Sequence, residues 1–337
     1  AIAPPGKTGG AFNLDGRFGL HPALKPLTTY YQREELLPVH AIAVPQRTRS
    51  HFDAQDVLEN GATRAHETPD GWLNRALRFL QTGDSRIGLA VGYDLPPVLR
   101  GEVPVASWAP ARLPQSSASL LDKLSYLYSS DPHLGPALQE GRRAQMMTGK
   151  LLGHTKMKGG NLRRPGRFKT LAEAAGRLLA AQDGPRVAVL EMGGWDTHLN
   201  QGNHEGRLAR NLSQLAQGLI VLPEYLGTAW RNTVILAVTE FGRTARMNGS
   251  RGTDHGTASA AFLMGGAVAG GRVASRWPGL SDDSLFQERD LAPTSDMRGL
   301  FKAVLRDHMN IGLETLDSEI FPNSAYAKAP PGKFIRS

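Results

Sequence analysis

Two stretches concentrate the residue types that bind metal ions: GGWDTH at 193–198, and TEFGRT at 239–244 with GTDHGT at 252–257. The first offers Asp196 and His198, a carboxylate and an imidazole two residues apart, which in an extended segment point the same way. The second offers Glu240, Arg243, Asp254 and His255. Carboxylates mixed with imidazoles suit zinc, manganese or iron better than an all-oxygen calcium site. The five candidate ligands Asp196, His198, Glu240, Asp254 and His255 can serve one ion or two, and two ions would clamp the attacking and leaving oxygens of a displacement at phosphorus or sulfur. Each fragment also has a plainer account. Asp196 can cap the next helix while His198 bonds a carbonyl, and a Glu240–Arg243 salt bridge with an Asp254-capped turn explains the second stretch. Against the plain account stands a coincidence: two successive strand ends each deliver an acid with a His or Arg, beside glycines that let other chain segments come close.

A third stretch, TRSHFDAQDVLENG at 48–61, places Thr48 and Ser50 where a strand gives way to a helix. A hydroxyl there lies near backbone N–H groups that favour anions, a suitable place for a nucleophile. It is equally the ordinary place of an N-cap, with Ser50 followed three residues later by Asp53. His51 and Asp53 read as further site groups or as surface polar residues. His21, His40, His66, His133, His154 and His308 lack a carboxylate at ligand spacing and read as structural. His204 opens a long helix, where exposure is expected, and Asp296 belongs to the first turn of the last helix.

Positioning these groups requires strands that end beside one another. Apolar runs bounded by Gly, Pro or charge occur at 40–44, 86–91, 103–108, 186–192, 232–239 and 259–264 and predict strands. RVAVLEM and NTVILAVT are near-continuous Val, Ile and Leu, the pattern of parallel strands covered on both faces. Helical patterns occupy roughly 53–60, 69–82, 116–129, 170–182, 204–226 and 295–310. In the fifth, Leu208, Leu212, Leu215, Leu219 and Leu222 share one face. This alternation predicts a single α/β domain over 1–337, a three-layer α/β/α sandwich on a mostly parallel central sheet, with ligands at the carboxyl ends of its strands. The segment 141–169, basic and Gly-rich, is expected to be a loop or an excursion from it.

Composition narrows the classes. The 337 residues are 40% apolar and 21% charged, ordinary for a folded chain. The net charge of +8 comes without any block of five like charges, and neither a recognition-helix pattern nor an aromatic stacking platform accompanies it, which argues against nucleic acid and suits a small anionic substrate. Absence of cysteine excludes disulfides, thiolate metal sites and cysteine nucleophiles. No run approaches the ~20 apolar residues of a membrane span.

The motifs LDGRFGLHPAL, TRSHFDAQD, GGWDTH, TEFGRT and GTDHGT, in this order between about residues 11 and 312, resemble the bacterial proteins grouped as domain of unknown function 1501. That family is similar to the alkaline phosphatase and sulfatase superfamily. The resemblance implies an alkaline phosphatase-like fold, divalent metal at strand ends, zinc or manganese first, and a hydroxyl or modified nucleophile. A twin-arginine export signal typical of the family implies a periplasmic or exported protein. Asp196 and His198 resemble the superfamily's aspartate and histidine ligands of one metal. Glu240 resembles the aspartate of its Asp-His pair, Asp254 and His255 resemble either that pair or the source of the last histidine, and Ser50 sits where the nucleophile lies. Departures accompany the likeness. Asp196 and His198 are closer together than in the phosphatases, Glu-Phe stands for Asp-His, and the motif converted to formylglycine in sulfatases does not occur. The family's first strand, with an acidic Asp-Gly motif, is expected to precede residue 1, leaving one ligand outside this sequence. Two functions follow as expectations: a metal-dependent hydrolase of phosphate or related anionic esters, with Ser50 as nucleophile and Arg243 steadying the anion, or a non-catalytic envelope binding or scaffold protein that keeps the fold.

Overall fold

The computed structural model describes residues 2–80, 87–110, 117–139, 141–142 and 167–336. Apart from its ends, the segment 141–169 lies outside the described residues. A small hairpin of β1 (Phe12–Asn13) and β2 (Gly19–Leu20) leads through the short helix α1 (Thr28–Gln32) into β3 (Leu36–Ala43), whose uncharged LLPVHAIA is buried almost throughout. The helices α2 (His51–Asn60) and α3 (Trp72–Leu80) follow, then β4 (Gly88–Val91), β5 (Ala106–Trp108) and α4 (Ala118–Leu127). Next come α5 (Arg167–Leu179), β6 (Val187–Leu190), α6 (Arg207–Leu226), β7 (Ile235–Ala237) and β8 (Ser259–Met264). A second hairpin, β9 (Leu285–Phe286) with β10 (Asp290–Leu291), precedes β11 (Ser295–Asp296) and α7 (Met297–Met309). Each predicted strand and helix thus has a counterpart, and Ser259–Met264 has the predicted bounds.

The chain is mixed α/β, but its strands fall into several small sheets. One is all parallel, in the order β5-β4-β6. The other main sheet runs β11-β3-β8-β7, with β11 parallel to β3 and β8 antiparallel to both β3 and β7. β8 departs from the predicted parallel run because a loop, not a helix, connects it to β7, and only an antiparallel neighbour can be reached without a crossover.

Both sheets feed the same two apolar clusters. On one side Leu37, Val39 and Ile42 of β3, Ala90 of β4 and Leu263 of β8 join Val57 of α2, Trp72 and Leu77 of α3, and Leu300 and Phe301 of α7; Val189 of β6 and Leu236 of β7 pack against this cluster. On the other side Leu89 and Val91 of β4 and Met264 of β8 join Leu171 and Leu178 of α5 and Leu219 and Leu222 of α6; Leu190 and Ile235 pack there. Leu212 and Leu215 of the predicted leucine stripe also pack against the second cluster. β6 pairs only with β4, and β7 only with β8, so each has an edge with no strand partner among the described residues. Their residues, although as apolar as core strands, remain half-buried. No helix among the described residues is long and apolar enough to cross a membrane.

The first cluster turns on stacked rings: Phe301 is 2% exposed and lies on Trp72 with centroids 4.7 Å apart at 19°. Truncation leaves a void the surrounding helices cannot close, so Phe301→Ala is expected to lower the unfolding free energy by about 3–5 kcal/mol in urea denaturation. A loss under about 1 kcal/mol would show that this cluster repacks freely.

Candidate metal centre

Three chain segments, each following a strand, meet at one point. His51 opens α2 beyond β3, Asp196 and His198 lie in the loop after β6, and Glu240, Arg243, Asp254 and His255 lie between β7 and β8. Glycine makes the approach possible. A Cβ on Gly252 would strike the carbonyl of His198, and one on Gly242 the carbonyl of Ala258, so any other residue would push these segments apart.

Asp196 is the common partner. Its Oδ1 lies 2.8 Å from His198 Nε2, 3.0 Å from His255 Nε2 and 2.6 Å from an Arg243 nitrogen, while its Oδ2 is 3.6 Å from His51 Nε2. His51, Asp196 and His255 each turn one ligand atom to a point where all lie within 4.8 Å of one another. His198 adjoins this triad, with its Nε2 2.9 Å from His255 Nε2. The rings meet at angles, His51 edge-on to His255 with centroids 4.4 Å apart at 71° and His198 tilted to His255 at 4.6 Å and 50°, and Phe241 covers His51 and His255 at 4.8 and 4.7 Å.

The far nitrogens are held too. His51 Nδ1 is 2.8 Å from Glu240 Oε1, His198 Nδ1 is 2.9 Å from Asp254 Oδ1, and His255 Nδ1 is 2.7 Å from the Arg49 carbonyl. Carboxylates and carbonyls only accept, so each Nδ1 carries the proton and donates it. In the neutral ring each Nε2 then has a bare lone pair aimed at the Asp196 side. Two such lone pairs 2.9 Å apart beside a carboxylate oxygen repel unless a cation or an added proton lies among them. Imidazoles tied by acceptors at Nδ1 and open at Nε2 are the usual arrangement of histidine metal ligands.

Glu240 and Asp254, expected as ligands, therefore stand one ring behind the convergence point. Glu240 also accepts from the Thr239 hydroxyl at 2.7 Å, and Asp254 from Asn248 at 2.9 Å. Arg243, weighed as the partner of Glu240, instead holds Asp196, with its remaining nitrogens on the Thr253 hydroxyl at 3.1 Å and the Thr253 carbonyl. Ser50 occupies the N-cap position of α2, but its side chain makes no capping bond. Asp296 is the N-cap of α7 and pairs with Arg298 at 2.8 Å. His21 and His40 serve backbone N–H groups, of Ala23 and Ala41, as structural residues do. His51, left open from sequence, joins the triad. Its only sequence signal was a place next to the N-cap. Arg49, whose carbonyl fixes His255, carried no signal, because a backbone group belongs to no residue type.

Partial burial pushes the Asp196 carboxyl up, but the hydrogen bond from Arg243 and, when their rings carry a second proton, the bond from His255 and the charges of His198 and His255 outweigh it, bringing the pKa down to about 2. Hydrogen bonds from Asn248 and His198 hold Asp254 below the usual carboxylate range. Both stay anionic as acceptors. The site is open, with the side chains of His51, Asp196, His198 and Asp254 between 40% and 46% exposed.

A sequence-family model described as "Protein of unknown function (DUF1501)" matches residues 21–318. No curated protein and no solved structure matches the chain.

Because Arg243 is the leading cause that lowers the Asp196 pKa, Arg243→Ala is expected to move it from about 2 back toward the ordinary 3.8. Carboxyl carbon NMR titration of both proteins reads the change; coincident curves would mean that the guanidinium does not bear on this carboxylate in solution.

Proposed function

The chain belongs to the DUF1501 family, whose description assigns no function, and from that premise we propose a metal-dependent hydrolase of phosphate or related anionic esters, acting in the bacterial cell envelope. The observation that carries this reading is the convergence of imidazole Nε2 atoms on Asp196 with every Nδ1 already engaged. The donor set fits a divalent ion. His51, Asp196 and His255 would hold it, with His198 at its side, and the mix of nitrogen and oxygen favours zinc or manganese. Such an ion supplies Lewis acidity toward an oxygen of the bound ester.

The protein's own groups provide the rest. Ser50, next to His51, presents a hydroxyl free of capping duty at the amino end of the ten-residue α2, where the helix dipole favours an anion. In this reading Ser50 is the nucleophile, and backbone N–H groups of the first turn stabilise negative charge that develops there. Glu240, Asp254 and the Arg49 carbonyl keep the rings turned inward. Arg243 fixes Asp196 and, through it, the geometry of the cluster.

The finer fold belongs to the same proposal: an alkaline phosphatase-like α/β/α sandwich. Two apolar clusters shared by both sheets, with α2, α3 and α7 on one and α5 and α6 on the other, support one central layer. Among the described residues β6 and β7 each have one edge without a strand partner, where a further strand would pair. A strand there, parallel to β6, would end beside Asp196.

A second reading, a non-catalytic envelope binding or scaffold protein, draws on one observation: Arg243 already neutralises the carboxylate that a metal would need. Elemental analysis and zinc or manganese titration of the whole protein separate the two. Under the first reading metal is bound and is lost in Asp196→Asn, while Ser50→Ala keeps the metal and loses hydrolysis of p-nitrophenyl phosphate by more than about 100-fold. Protein that takes up neither metal on titration overturns the hydrolase.

A further inference from the structure

Asp290 is a carboxylate with no exposed surface. Its Oδ2 accepts from Arg49 Nε at 3.2 Å and Nη2 at 2.7 Å and from the Thr257 hydroxyl at 2.8 Å. Its Oδ1 is buried without a hydrogen bond, with an Arg289 nitrogen 3.6 Å away. Burying such a charge is unfavourable unless pairing is tight, and an apolar pair of the same volume would often serve stability as well. What the pair does secure is the direction of Arg49. The Arg49 side chain is tied at one end to Asp290 and to Gln287 Oε1 at 2.8 Å, while its main-chain carbonyl, at the other end, takes the His255 Nδ1 proton at 2.7 Å.

Neighbours in the β9–β10 hairpin reinforce the same place. Arg289 donates to the His255 carbonyl at 3.1 Å, the Ala245 N–H bonds the Arg289 carbonyl at 3.1 Å, and Thr244 bridges Asp290. The hairpin thus grips three segments: the one that leads into Ser50 and His51, the one just after Arg243, and the one that carries His255 and Thr257.

We propose that Asp290 is a positioning residue for the metal cluster, acting through Arg49 to keep the His255 proton on Nδ1 and its Nε2 lone pair facing Asp196. Only its consequence for metal rests on the reading of the site as a metal centre; the tautomer does not. Without an acceptor held in place at Nδ1, the competing tautomer gains a strong bond, because an Nε2–H would donate to Asp196 Oδ1, 3.0 Å away. That tautomer has no lone pair to give a metal.

The test is nitrogen NMR of the histidine rings in the metal-free whole protein, together with zinc affinity by chelator competition. In the unaltered protein His255 is expected to show a protonated Nδ1 and a bare Nε2. Asp290→Asn keeps the size and the Thr257 bond but removes the charge; it is expected to populate the Nε2–H form and to weaken zinc binding by about 10- to 100-fold. Arg49→Lys keeps the charge but loses the fork that reaches Asp290 and Gln287 together, and with a side chain 34% exposed it carries the same test should Asp290→Asn fail to fold. Variants that lower the unfolding midpoint yet leave the His255 tautomer and zinc affinity unchanged overturn the proposal and leave Asp290 a structural residue. A tautomer that switches in a protein binding no zinc at all would sink the metal reading and leave the positioning role standing.

Discussion

Everything at this site depends on where three ring protons sit. An imidazole has one proton to give and one lone pair to offer, and which nitrogen does which is decided by the partner on the far side. Glu240, Asp254 and the Arg49 carbonyl each claim an Nδ1 proton, and so the inner nitrogens of His51, His198 and His255 are committed to accept. The three acceptors come from different places: a strand end, a glycine-rich loop and the backbone ahead of a helix. No local stretch of chain could impose this pattern; only the tertiary fold can.

That requirement explains features of the fold that have no direct contact with the rings. β3, β6 and β7 differ in length, from eight residues to three, yet each feeds a segment that reaches the same end of the molecule. Close approach there is bought with glycines, at Gly242 and Gly252, where backbone lies against backbone. The β9–β10 hairpin is too small to stand alone, and isolated hairpins are marginal in water. Gln287 and Glu288 in its turn adopt positive φ, at 55° and 54°, an unfavourable conformation for residues with a side chain. Its place against Arg49, Thr257 and His255 gives that strained turn a reason to persist.

Sequence periodicity disclosed the elements because apolar spacing is a local property: NTVILAVT and the leucines of α6 mark a strand and a buried helical face whatever surrounds them. It overextended some strands, predicting 232–239 where pairing covers only Ile235–Ala237, and missed the start of β3, read at 40–44 where the strand is Leu36–Ala43, since an apolar run marks burial and not the ladder. Parallel direction was a default drawn from alternation, and β8 escapes it because the loop before it contains no helix. At the site, residue type found the acids and histidines but could not rank them. Glu240 and Asp254 look like ligands in a motif, and only distance separates a ligand from the group that orients one. His51 stayed open between a site group and a surface residue because its partners, Asp196 and Glu240, lie 145 and 189 positions away in sequence.

Charge sets the remaining constraint on what the cluster can hold. Asp196, Glu240 and Asp254 carry three formal negative charges, and Arg243 at Asp196 returns one, so three less one leaves an excess of two around the rings. A divalent cation would balance that excess; a single added proton would balance half of it. Solvent moderates the need, because the Asp196 and Asp254 side chains are 43% and 46% exposed and water screens them. Arg243 moderates it further by competing for the same oxygen. An ion entering here must therefore share Asp196 with the guanidinium or displace its Nη1, and with Thr253 still holding the other two nitrogens, the freed Nη1 would face the ion, where the anionic ester of the proposed reading would meet it. On the proposed reading, the contact that competes with an ion for Asp196 would then couple metal, arginine and substrate.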